Sequence, residues 1–496
     1  MRRVFIAFAA IATLGVAGCK KNYLDINEDP NRATYSTPQL TMPIALEGAA
    51  RNNLTGYRSL GWWLGYYGAS AGFSKPNIEY TYDVNSSFLA GVWDNLYNNI
   101  TDFDYVEKKA VEQNLPVYEA ISKVMKAYDY HQLVDLWGNV PYSEAIKGAG
   151  NFAPKYDKGQ EVYDDLVKQL NQAIAIFKKP STKGSINVSA DAKRIIVFGD
   201  VLANDGPDAF LNKWVKLANT LKLKLLVQQS QAGRDAYIKG ELTGLTANDF
   251  LVVGEDAVLN PGYQDDASKF NPLYGVYYTS PGTLSDTYKS NKAGKFAISL
   301  YNSTNDPRIS YFYDKGTSAT YIGSELGDPV GAAGVANMGK GLLQAKGDAV
   351  VLTAAESLFL QAEAAQRGYI SGNAQKLYED AVLASFTFTK VPSASTAAAA
   401  YVSQSDANTN WALATDKLKL IITQKYLALN TIDILAAYND FRRTGVPNVP
   451  LSIDPTSKGK IPVRMLYPQN ELLLNGASVS AEGTVDPFTT TVFWDK

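Results

Sequence analysis

The chain has 496 residues, 46% of them hydrophobic and 19% charged, the balance of an ordered globular protein with a sizeable core. Its 47 Lys and Arg against 49 Asp and Glu leave a net charge of −2 and no long basic run, which argues against nucleic acid as a partner. One cysteine and one histidine exclude a disulfide within the chain and leave too few ligands for a Cys/His zinc site.

The first element reads as a leader. Arg2 and Arg3 supply positive charge, and Val4–Gly18 is an apolar, small-residue run. It is shorter than the ~20 residues a spanning helix needs. Val16-Ala17-Gly18-Cys19 resembles the bacterial lipobox, in which the cysteine is lipidated and becomes the mature N-terminus. That Cys19 is the only cysteine favours this over an ordinary signal peptide. The expected organisation is a lipoprotein signal peptide over 1–18 and one domain over 19–496, tethered to a membrane by lipid. Leu24–Thr34 is polar and turn-rich. Asp25, Asn27 and Asp29 alternate as in a calcium loop, but Pro30 and Ser36 break the pattern, so no metal is expected.

Pro38–Tyr67 reads as helices with a glycine break, ending in the aromatic-dense GWWLGYYGASAGF. Phe73–Phe88 carries no helical stripe and reads as an exposed loop. Val92, Leu96, Ile100 and Phe103 mark the next helix, and Pro116–Leu136 another. Gly138 and Pro141 should then turn the chain into a short second helix. Lys158–Phe177 and Asn212–Gln229 are amphipathic. From 240 to 340 that regularity is lost to Gly, Pro, Asn, Asp and Tyr, over a length that marks a functional region rather than a connection.

Helices should resume at Asp348. In Ala355–Phe386, one stripe runs through Leu358, Phe359 and Ala362 and a second through Leu377, Tyr378 and Ala381, with Gly368 and Gly372 between them. This hairpin resembles a tetratricopeptide unit, which must stack on neighbours to bury its apolar face. Leu418–Gly445 is the last long pair. The tail should pack back through Tyr467, Phe493 and Trp494. The fold class expected is mainly α: tetratricopeptide-like helical pairs forming a scaffold with long irregular ligand-binding loops, the loop-rich insert spanning about 240–345.

Several segments together resemble the SusD/RagB family of nutrient-binding outer-membrane lipoproteins. They are Cys19 followed by Leu24-Asp25-Ile26-Asn27 and Pro30-Asn31; Leu133–Ile146; Trp214–Asn219; Asn305–Arg308; the AESLFLQAEA helix; Phe441–Pro447; and Tyr467-Pro468 to Glu471. They occur in one chain order over nearly the whole length, and most resemble the SusD-like branch. The resemblance implies a cell-surface cap on a SusC-like TonB-dependent outer-membrane transporter, binding an oligosaccharide or other nutrient, with no cofactor and no catalysis.

A sugar site needs rigid aromatic platforms beside hydrogen-bonding groups. The expected ligand face is Phe73, Tyr80 and Tyr82 in the first loop with Tyr274, Tyr277 and Tyr278 in the second, Asn77 and Asp83 adding hydrogen bonds. The simpler reading is that these tyrosines pack the loops onto the helices. Arg442 and Arg443 read as cations capping the helix that ends at Gly445. A histidine-dependent mechanism would have to use His131, and neither a P-loop nor a dinucleotide fingerprint is present. The alternatives are a glycoside hydrolase, which needs only two carboxylates, and a structural envelope lipoprotein without a ligand.

Overall fold

The computed structural model describes residues 36–495, so Cys19 and the Leu24–Thr34 segment lie outside the described residues. The principal helices are α1 (Pro38–Gly56), α2 (Ala90–Glu112), α3 (Pro116–Trp137), α4 (Gly159–Phe177) and α5 (Pro207–Gln228), followed by α6 (Ala354–Gln366), α7 (Ala374–Phe388), α8 (Ala394–Val402), α9 (Lys417–Leu429) and α10 (Ile434–Thr444). Local chemistry sets their ends. Pro116 and Pro207 start α3 and α5 at the position where a missing N–H costs nothing. Thr353, Asn373, Asp416 and Asp433 each accept a backbone N–H in the first turn of α6, α7, α9 and α10. Gly445 closes α10 with φ +71°.

Successive helices pack as pairs: α2 on α3, α3 on α4, and α6 on α7. The fold is mainly helical, as expected. From Pro38 onward the chain forms one compact unit. Most buried apolar side chains belong to one core; a smaller one, with Phe359, Tyr378, Phe386 and Tyr401, lies between α6, α7, α8 and α9.

The strands are short and antiparallel. β1 (Tyr67–Ala69) pairs with β5 (Asn291–Ala293), and β2 (Ala257–Leu259) with β8 (Ala349–Leu352). β3 (Tyr278–Ser280) pairs with β4 (Thr283–Leu284), and β6 (Tyr313–Asp314) with β7 (Asn337–Met338). The irregular 240–340 stretch therefore contains β2 to β7 and several short helices. Three local expectations are corrected. Asn77–Thr81 is a helix inside the segment read as a loop; β8 precedes α6 where a helix was expected to resume; and between Pro141 and the start of α4 there is no α-helix, only turns and a single 3₁₀ turn at Gly148–Gly150. Each error falls where a short element is held by tertiary contacts rather than by its own periodicity.

Buried polar groups lock the helices together. Asp135 of α3 accepts from Tyr163 Oη, from Asn439 Nδ2 at 2.7 Å and from Trp494 Nε1 at 3.0 Å, which fixes the C-terminal tail. Arg442 is not an exposed cap. It donates to the Asp135 and Val463 carbonyls and lies over the rings of Tyr438 and Trp494. Arg443 is likewise buried and pairs with Glu363 and Asp440. Lys224 bridges Glu356 at 2.9 Å and Asp433 at 3.0 Å. Arg308 holds Asp306 at 2.6 Å and reaches Ser385 and Gln424, all inside the protein.

Candidate functional site

The first and second irregular regions meet along the β1–β5 ladder. Tyr67 opposes Ala293, and Ala69 opposes Asn291. Beyond the ladder Ser70 donates its N–H to the Ser290 carbonyl at 2.9 Å and bridges to Ala332. Lys75 Nζ donates to the Ser70 and Val330 carbonyls, closing the loop that carries Phe73. Phe73 is 38% exposed at its tip.

The tyrosines of the first region face inward. Tyr82 is fully buried; its hydroxyl accepts from Ser452 N at 2.8 Å and its ring meets Trp63 edge-on. Tyr80 is buried against Trp62 and donates to the Asp328 carbonyl. Burial pushes both phenols up to about 12. Asn77 is exposed at the start of its short helix. Asp83 is exposed and pairs with Lys458 at 3.3 Å.

The second region places its tyrosines by helix geometry. Asn271 accepts from Leu273 N and Tyr274 N, and Pro272 opens a helix over Pro272–Tyr277. Tyr274 lies in that helix and Tyr278, in extended backbone, directly follows its end, and their rings come together. They stack at 4.1 Å with planes 2° apart. Phe270 meets Tyr274 edge-on, and Tyr278 meets Tyr288 at 5.8 Å. Pro281-Gly282, with Gly282 at φ +73°, turns β3 into β4. Ser285 then caps the helix carrying Tyr288. Lys292 lies 5.0 Å from the Tyr288 ring centre and donates to Asn337 Oδ1 at 2.6 Å. Burial pushes the Tyr288 phenol up to about 12 and the Lys292 ammonium down. Tyr277 points the other way: it is fully buried, under Arg58, and accepts from Asn291 Nδ2 at 3.1 Å.

The expected eight-residue face is therefore divided. Tyr80, Tyr82 and Tyr277 are core side chains, and Tyr274 is the buried half of a stack whose open half is Tyr278. Phe73, Asn77, Asp83 and Tyr278 reach the surface. Tyr288, Lys292 and Asn337 join Tyr278, and sequence reasoning missed them. Tyr288 had a legible signal, an aromatic in the same irregular stretch; Asn337 had none, because only β5 packing beside β7 brings it close. A half-open tyrosine stack beside amide and ammonium groups suits a ligand with apolar C–H faces ringed by hydroxyls.

His131 belongs to the core, and neither ring nitrogen has a hydrogen-bond partner among the described residues. Burial and the nearby Lys224 hold its imidazole far below the usual pKa, hence neutral.

Comparison with known proteins places the chain among described groups. The family model SusD-like, "starch-binding associating with outer membrane", matches residues 30–468. None of the curated proteins matches the chain. A chitin-binding SusD homologue from Flavobacterium johnsoniae is similar at 22% identity and TM-score 0.74, over 92% of this chain and 98% of its own. A SusD homologue from Bacteroides fragilis superposes at TM-score 0.72 and 22% identity, over 93% of this chain and 100% of its own. A SusD/RagB family protein from Bacteroides thetaiotaomicron does so at TM-score 0.70 and 19% identity, over 93% and 99%.

Proposed function

Because the chain belongs to the SusD-like family of starch-binding proteins that associate with the outer membrane, we propose that it captures an oligosaccharide at the cell surface and delivers it to a SusC-like TonB-dependent transporter. Cys19 carries the lipid, the mature chain begins there, and the remainder is a single SusD-like domain without catalytic activity. No helix of the described residues is long and apolar enough to cross a membrane, which is consistent with attachment by lipid. The observation that carries the reading on this chain is the stacked Tyr274–Tyr278 pair, with Tyr288 tilted against Tyr278 and Lys292 and Asn337 beside it. Phe73, Asn77 and Asp83 extend the ligand face from the first region, and Tyr80, Tyr82 and Tyr277 support it from beneath. Capture then needs only a difference in affinity between an open and a closed arrangement of protein and transporter.

Affinity purification of the tagged protein from gently solubilised native membranes, followed by mass spectrometry, tests the partner. A large TonB-dependent barrel in near-equal amount is the expected result; its absence with intact, lipidated protein would overturn the role as a transporter cap. Cys19→Ala should release the protein from membranes, and unchanged membrane association would overturn the anchor.

A further inference from the structure

A cavity of about 240 Å³ lies between the end of α1, the β2–β8 ladder and the loop after α7, with Asn271 and Leu273, at the start of the helix that carries Tyr274, in its lining. It far exceeds the ~10–15 Å³ needed to hold one water. Its floor is aliphatic: Leu54, Val258, Val350 and Ile432. Two rings, Tyr311 and Phe388, meet edge-on at its wall. The walls are tied to one another before any ligand arrives. Asn53 Nδ2 donates to the carbonyls of Val350 and Ile432, and Asn271 Nδ2 to those of Gly347 and Asp348. A Cβ on Gly341 would sit 2.5 Å from Tyr311 Cδ2, so only glycine lets that loop pass the ring.

The polar groups of the lining are of both kinds. Asp256 uses Oδ1 to accept from Ala354 N at 2.8 Å, and its other oxygen has no protein donor among the described residues. The Tyr311 hydroxyl makes no hydrogen bond among them either, and both Asp256 and Asp348 raise its pKa, behind burial as the larger cause. Lys390 supplies a cation to the same lining. A carboxylate ligand would face Asp256 and Asp348, and a quaternary ammonium would face Lys390. A hydroxyl group, which both donates and accepts, can use all of them. From this cavity we infer a second binding site, for one neutral sugar-sized polyol seated with its C–H face on the aliphatic floor and its hydroxyls on Asp256, Tyr311 and Lys390. The site does not rest on the transporter reading, since it uses none of the residues of the tyrosine face.

The test is calorimetric titration of the full-length, detergent-purified protein with methyl glycosides of the common hexoses and N-acetylhexosamines. Four variants are compared: Tyr311→Phe, Asp256→Asn, Gln344→Trp, which fills the mouth from an exposed lining position, and Tyr278→Ala on the other face. At least one glycoside should bind the parent protein. Tyr311→Phe and Asp256→Asn should each weaken it by about tenfold, the loss of one hydrogen bond. In Tyr278→Ala, which removes the platform of the other face, a glycoside should still bind, and adding Gln344→Trp should abolish that remaining binding with unchanged thermal unfolding. No glycoside bound by the parent protein, or binding that survives Gln344→Trp and disappears in Tyr278→Ala, overturns the second site; the latter result leaves the tyrosine-face reading standing. Binding of trimethylammonium or carboxylate probes in place of the glycosides overturns the polyol assignment.

Discussion

Glu363→Gln isolates the ion pair that joins α6 to α10. Glu363 and Arg443 are both essentially inaccessible, and Arg443 Nη2 lies 2.8 Å from Glu363 Oε2. Burial alone would raise the carboxyl. Arg443, then Arg367 and Lys425, outweigh it and hold the pKa at about 2, against 4.5 for a free glutamate. A drop of that size corresponds to about 3 kcal/mol of stability. The sign follows from the depressed folded value: the contribution is complete above the unfolded pKa and is lost as pH falls through the folded one. Urea unfolding of the parent and of Glu363→Gln should therefore differ by about 3 kcal/mol near neutral pH, in line with the cost of breaking a buried pair. The difference should shrink to about 2 kcal/mol near pH ~3.5. Asp440 still partners Arg443 in the variant, which keeps the guanidinium from being wholly stranded. A neutral-pH cost below about 1 kcal/mol, or one that does not shrink on acidification, would refute the electrostatic account.

Tyr278→Ala and Tyr277→Ala should separate adjacent residues by role. The first should weaken retention on immobilised oligosaccharide while leaving unfolding nearly unchanged; the second should cost about 3 kcal/mol in urea unfolding, as for a buried aromatic truncated to alanine. Equal stability losses would contradict their opposite orientations. Asp129 is buried with Asn99 as its hydrogen-bonding partner, and burial raises its pKa strongly. Its raised folded value means that it costs stability once pH exceeds the unfolded carboxylate pKa, so Asp129→Asn should stabilise the protein at neutral pH and lose that advantage in acid. A melting series across pH checks the sign. Trp494→Ala should cost about 3–5 kcal/mol and loosen the tail, read as faster hydrogen exchange in residues 485–495.

The helical pairs were legible in the sequence because their information is local. The stripe through Leu358, Phe359 and Ala362, the break at Gly368 and the second stripe through Tyr378 and Ala381 lie within one short window, and α6 and α7 form where that spacing places them. The segments that carried the family resemblance were also legible, but not for their role. Asp135, Lys224, Arg308, Glu363 and Arg443 fall in or next to those segments, and each is part of the buried polar network between helices. They identify a scaffold rather than a ligand surface, and the cap reading of Arg443 failed because its partner, Glu363, is 80 residues away.

The ligand face was decided by tertiary structure. A tyrosine has the same composition signal whether its ring covers a core or faces solvent, and an irregular segment offers no period from which to tell the two apart. Tyr277 and Tyr278 are adjacent, yet the change from a helix to strand β3 between them turns one toward Arg58 and the other toward Tyr288. Lys292 and Asn337 became neighbours only when β5 packed beside β7, and the cavity under Tyr311 is closed by residues from α1, β2, β8 and the loop after α7. Local spacing determined which stretches became helices; long-range packing, which no local spacing records, determined which side chains remained at the surface.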